Sequence, residues 1–297
     1  MFTLIDAATN TIRPMTAKQP LDREVDGAAT AGRLTAVGAL VGSLEELSRR
    51  EDGGDRSLFS WPVRQTALRA FRRRSLAPLW SLIEPRRYPI LLAGRVLCAG
   101  VVLLAPDTSR VRGPALVGLT VSGLLKSYRN SYGSDGSDQL SFITFASLAT
   151  AHLPGLTAGQ RAVPLHFVGF QSVLSYTVAG VAKLLSTQWR DGSAIEGIFR
   201  TRTYGDAGFY RMIKDRPAAA RALSWTVIVA ETMTPIVLVL PPAGRRAVLG
   251  LAGLFHLGNA RYMGLNRFFW AFTGTYPLVD RSARSIRRVL GLVEGRR

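Results

Sequence analysis

The chain has 297 residues, 47% of them hydrophobic, and its 38 lysines and arginines against 20 aspartates and glutamates give a formal net charge of +18. A single cysteine, Cys98, excludes an intramolecular disulfide and a cysteine-cluster metal site. So basic a chain would suit nucleic acid, but its arginines gather at the flanks of apolar runs, as cations do against anionic membrane headgroups, and no nucleic-acid-binding motif is present.

In chain order, residues 1–33 carry little periodicity and read as a cytoplasmic tail, and the first thirty lack the apolar core and cleavage site of a signal peptide. Residues 34–47 predict one short amphipathic helix, and EDGGDRS (51–57) breaks the chain. The stretch WPVRQTALRAFRRRSLAPLWSLI mixes arginines with tryptophans and leucines, which suits a helix lying along a membrane surface or packed on the membrane domain. Residues 1–84 are therefore an expected Arg-rich cytoplasmic or interfacial lead. Arg69, Arg72, Arg73, Arg74, Arg86 and Arg87 precede the first long apolar run, while Arg281, Arg284, Arg287 and Arg288 follow the last.

Apolar runs then fall at 89–105, 114–126, 139–153, 163–185, 222–241, 246–263 and 266–280. The fold class they predict is all-α, a polytopic integral membrane bundle of about six to eight spans, with residues 85–280 as the membrane domain and 281–297 as a basic tail. The basic flank before the first run places the amino terminus in the cytoplasm.

Chemistry is expected where ionisable groups interrupt these runs. Lys183 is one of only four lysines and sits near the end of its run, where an amine in hydrocarbon must snorkel, find a partner or lose its proton. Burial disfavours the charged form of an amine, and a neutral amine is a base. Ser172, Tyr176, Ala179 and Gly180 share its helical face. Glu231 stands at the end of another apolar stretch and should meet a cation, with Lys183, Arg95 and Lys126 as candidates. His256 lies in a third run with Asn259 three residues on, as packing residue or proton relay. The three histidines, His152, His166 and His256, have no metal-binding spacing, so no metal is expected. SYRNSYGSDGSDQL (127–140) reads as an interfacial turn rather than a cation site at Asp135 and Asp138, and residues 186–221 as an interfacial lid, a headgroup site or a solvated connector.

Three blocks, AGVAKLLSTQWRDGSAI (179–195), ETMTPIVLVL (231–240) and FHLGNARYMGLNRFFWAFTGTYPLV (255–279), together resemble the horizontally transferred transmembrane (HTTM) family, which includes the membrane part of vitamin K-dependent gamma-carboxylase. The resemblance implies that Lys183 is a catalytic base and that Glu231 and His256 assist it; Tyr176 and Ser172, on the face of Lys183, and Asn259, on the face of His256, are the expected cofactor contacts. A reduced quinone is the cofactor it implies, and a lipid, peptide or small acid the substrate, at a bacterial inner membrane with anionic headgroups. Asn130 stands where the carboxylase has a histidine, and the resemblance does not extend to the carboxylase's lumenal substrate domain, so glutamate carboxylation itself is not implied. A non-catalytic protein that binds, helps mature or gives immunity to a secreted peptide is the alternative.

Overall fold

Helix boundaries follow local signals in the sequence. A capping box starts the longest apolar helix: the Thr157 hydroxyl accepts from Gln160 N (3.3 Å), and the Gln160 amide oxygen accepts from Thr157 N (2.9 Å). Prolines occupy the first turns of Tyr88–Leu104, Pro217–Thr232 and Pro242–Met263, where their missing N–H costs nothing. The run at 222–241 is divided because Pro235 cannot continue a helix; Thr234–Leu238 form a 3-10 turn instead.

The structure, a computed structural model, describes residues 21–48, 61–67, 74–129 and 136–292. Among them every element is helical: α1 (Leu21–Ser48), α2 (Trp61–Ala67), α3 (Ala77–Ser81), α4 (Tyr88–Leu104), α5 (Arg112–Arg129), α6 (Gly136–Ala151), α7 (Ala158–Leu185), α8 (Thr187–Asp191), α9 (Ser193–Phe199), α10 (Ala207–Ile213), α11 (Pro217–Thr232), α12 (Pro242–Met263) and α13 (Asn266–Val289). The expected tail at 1–20, the break at 51–57, Arg69, Arg72, Arg73, Asn130 and Asp135 lie outside the described residues.

Three expectations change. The short helix at 34–47 is a 28-residue helix that packs chiefly against α13 and α4, because its alanines and glycines let neighbouring backbones close in. The main core joins α1 to α4, α5, α6, α7 and α13 through Ala36, Val102, Leu116, Phe145, Val168 and Leu278. At the other end, α13 runs through position 281 to Val289, so the basic tail begins as helix, and Arg281 is buried. Finally, only α7 among the described helices is long and apolar enough to cross a membrane by itself; α4 is apolar but has 17 residues. Of the expected bundle, the helical part is what stands.

Several buried arginines fasten one helix to another. Arg112, only 1% exposed, donates to the carbonyls of Val102 (2.6 Å), Ala105 (3.2 Å) and Ala29 (3.3 Å), tying α5 to α4 and α1. Arg245 binds Asp280 at 2.5 Å, and Arg129 donates to Ile83 O at 2.5 Å while lying 4.4 Å from the Tyr88 ring centroid. Such a cation satisfies orphan carbonyls at helix ends, which would otherwise be buried without donors.

Candidate functional site

With 3.6 residues per turn, Tyr176, Gly180 and Lys183 fall on one face of α7, and that face meets α11. The approach is close because position 180 is glycine. A Cβ there would stand 2.6 Å from Thr232 Oγ1 and 2.9 Å from the carbonyl carbon of Glu231. The contact sets the amine of Lys183 beside the last turn of α11, where Nζ donates to Glu231 Oε2 at 2.5 Å. Neither side chain is free in solvent: Glu231 is 9% exposed and Lys183 20%. Nζ also lies 5.1 Å from the Trp189 ring centroid, a cation–π distance. Trp189 is held there because its carbonyl accepts from the Ser224 hydroxyl on α11.

His256 belongs to a second polar set. Its Nε2 is 2.6 Å from the Tyr176 hydroxyl, which lies 2.8 Å from the Tyr276 hydroxyl of α13. The imidazole stacks on Phe272, with centroids 4.4 Å apart and planes 19° from parallel, and its Nδ1 is buried without a partner among the described residues. Three helices thus meet at one hydroxyl.

Both sets open on one cavity of about 450 Å³ between α7, α11 and α12. Lys183, Glu231, Tyr176, His256 and Asn259 supply its polar wall, and Phe199, Phe209, Phe255 and Phe272 much of its apolar one. The Asn259 side-chain amide makes no hydrogen bond to a described protein group, which leaves donor and acceptor for a ligand. Residues 186–221 cover this cavity as α8, α9 and α10, packed around Ile195, Ile213 and Ala220. The cover turns at Gly192, whose φ of 91° favours glycine and whose Cβ would meet the Arg221 backbone at 2.6 Å.

The predicted residues therefore separate. Lys183 pairs with Glu231, while the other suggested partners, Arg95 and Lys126, belong to a different cavity. His256 does not touch Lys183; two turns of α7, about 10 Å of rise, lie between Tyr176 and Lys183. Ser172 does not line the cavity, because its hydroxyl is buried against Thr275 Oγ1 (2.7 Å) and fastens α7 to α13. Sequence reading missed Tyr276 and Phe272, whose only signal was membership of an aromatic-rich block, and Trp189, which stood six residues from Lys183 in the quoted block. Asp138 pairs with Arg267 at 3.2 Å, and among the described residues no three His, Cys, Asp or Glu side chains are grouped to hold a metal.

No protein-family model, curated protein or solved structure matches this chain.

Proposed function

We propose that the chain is a bacterial inner-membrane enzyme of the HTTM type, with Lys183 as general base in the cavity between α7, α11 and α12. The carrying observation is the convergence of a buried Lys183–Glu231 pair and the Tyr176–His256–Tyr276 set on one aromatic-lined cavity. Cavities that combine an apolar wall with a few convergent ionisable groups are the usual seat of chemistry.

Multi-pass embedding draws support from the outer surface, and a cytoplasmic amino terminus rests on the basic flank before the first apolar run. On α7, Phe167, Phe170, Leu174, Val178, Val181 and Leu185 form one exposed apolar stripe, and Ile90, Leu97 and Leu104 form another on α4. Stripes of this extent on several helices fit lipid better than water.

The polar wall fits a flat aromatic ring carrying hydroxyl groups. Lys183, Asn259 and Tyr176 would hold its polar edge, and the phenyl rings its faces. A quinol bound there would supply an acidic hydroxyl and two reducing electrons. The chain's own part is proton handling. The Glu231 carboxylate can take a proton from Lys183 Nζ as Nζ takes one from a ligand hydroxyl, so that the ammonium's charge is left paired with the deprotonated ligand. At the other end, the Tyr176 hydroxyl can pass or receive a proton through His256 Nε2. The substrate itself, whether lipid, peptide or small acid, would enter under the α8–α10 cover.

The test is oxygen consumption by the purified protein in detergent with a reduced naphthoquinone. Wild type should turn over, and Lys183→Ala should lose about 10²- to 10⁴-fold, the usual worth of a general base, while remaining in the membrane fraction. Full activity in that variant would remove the base assignment. The second reading, a non-catalytic peptide-binding or immunity protein, is favoured by the way the ion pair closes the α7–α11 crossing. It expects a co-purifying peptide and no turnover.

A further inference from the structure

A second cavity, of about 400 Å³, lies on the flank where α5 and α6 meet and is lined by Arg95, Lys126, Asp138, Gln139, Phe142 and Leu124 among others. It shares no lining residue with the first. Three cations reach this region, and two of them are matched: Lys126 by Glu46, and Arg267 by Asp138 at 3.2 Å. Arg95 is not. Although only 7% exposed, it forms no ion pair among the described residues. Its Nη1 donates to Leu119 O and Ser122 Oγ, both at 2.8 Å, and its Nε is buried without an acceptor.

A buried guanidinium without a counter-ion is costly unless something supplies the missing charge. Glu46 and Asp138 are near enough to act on Arg95 through space, but both are engaged with other cations. The surplus among the described side chains is thus one positive charge, beside open volume. The outer edge of that volume is apolar. Leu124 lines the cavity, and Val121 and Val117 continue its face along α5, all three more than 40% exposed. Spacing by three and four residues makes them one stripe.

We propose that this cavity binds a monoanionic phosphate group, seated between Arg95 and Lys126, with an acidic phospholipid as its source. Guanidinium is the side chain best matched to phosphate oxygens, since its fork presents paired donors. A phosphodiester carries the single negative charge that Arg95 lacks, and an acyl chain would lie along Leu124, Val121 and Val117. A free phosphate would satisfy the arginine but leave the stripe uncovered.

Native mass spectrometry of the full chain in nonionic detergent, with phosphatidylglycerol or phosphatidylcholine added, tests this directly. One phosphatidylglycerol per chain should be retained and phosphatidylcholine should be lost. Arg95→Gln should abolish retention, but it also removes the hydrogen bonds to α5, so Gln139→Glu and Ser127→Glu at the exposed rim are the safer pair. Each should weaken phosphatidylglycerol binding about ten-fold or more by like-charge repulsion, with the lipid-free melting temperature unchanged. A parallel titration with inorganic phosphate separates the sources. A rise in melting temperature that both rim variants abolish, without lipid retention, keeps the phosphate site and assigns it to the free anion. Equal retention of the two lipids, rim variants that bind like wild type, or no response to either ligand overturns the proposal.

Discussion

Lys183 and Glu231 illustrate how a buried pair differs from its parts. Removing one partner strands the other charge in a site less than one-quarter exposed, which costs about 3–5 kcal/mol, whereas replacing both by apolar side chains is often neutral. Glu231→Ala should therefore lower the melting temperature in detergent more than the double change Lys183→Met with Glu231→Leu. If the double variant is stable but inactive, the pair serves chemistry; if it is stable and active, the pair is a clamp. Tyr176→Phe tests the second set, since it removes one hydroxyl and both of its hydrogen bonds. Leaving the His256 and Tyr276 groups unsatisfied should cost about 1–3 kcal/mol, read as a lower denaturation midpoint. Lys183, Glu231 and His256 were legible in the sequence because ionisable groups in apolar runs are rare. Their division into two sets was not, because it depends on which helix faces meet.

Helix pairs set the next scale. Gly180→Ala adds one methyl group, yet that atom would overlap Thr232 and the Glu231 backbone, so α11 must move outward. Overpacking of this kind costs about 1–3 kcal/mol, and here it also lengthens the Lys183–Glu231 contact. The expected outcome is a lower melting temperature together with lost activity, whereas Gly250→Ala, which meets nothing on α12, should change neither. Helix α1 offers a titratable fastener. Glu46, near its end, accepts from Lys126 and from the Tyr88 hydroxyl at 2.5 Å. Burial alone would raise its pKa, but the Lys126 charge and the hydrogen bonds from Lys126 and Tyr88 outweigh that and hold it below 4.5. A depressed carboxylate contributes stability above its unfolded pKa and loses it as the pH falls through the folded one. Glu46→Gln should thus melt earlier than wild type at neutral pH, and the gap should close as the pH falls below 4.5. A gap independent of pH would mean that Glu46 acts through shape alone.

At the scale of the whole molecule, α4 and α7 each carry an outward apolar stripe, while α1 packs into the core through its alanines. The proposed multi-pass embedding predicts that the protein stays with the membrane pellet through an alkaline carbonate wash and enters solution only with detergent. Recovery in the carbonate supernatant would contradict multi-pass embedding. The two cavities lie on different helices, one between α7, α11 and α12 and the other against α5 and α6, so ligand effects at one need not disturb the other.

What the sequence by itself determined was the helical class, the approximate place of each late helix and the identity of the unusual ions, because periodicity, prolines and stranded charges are local properties. Only the tertiary structure decided that Glu231 meets Lys183 rather than Arg95 or Lys126, that His256 answers to Tyr176, and that Ser172 is a fastener. It also packed the helix expected at 34–47 into the main core and buried one of the named flanking arginines, Arg281. Those outcomes depend on close approach between distant segments, governed by where a glycine or alanine removes a side chain, and a linear pattern does not carry that information.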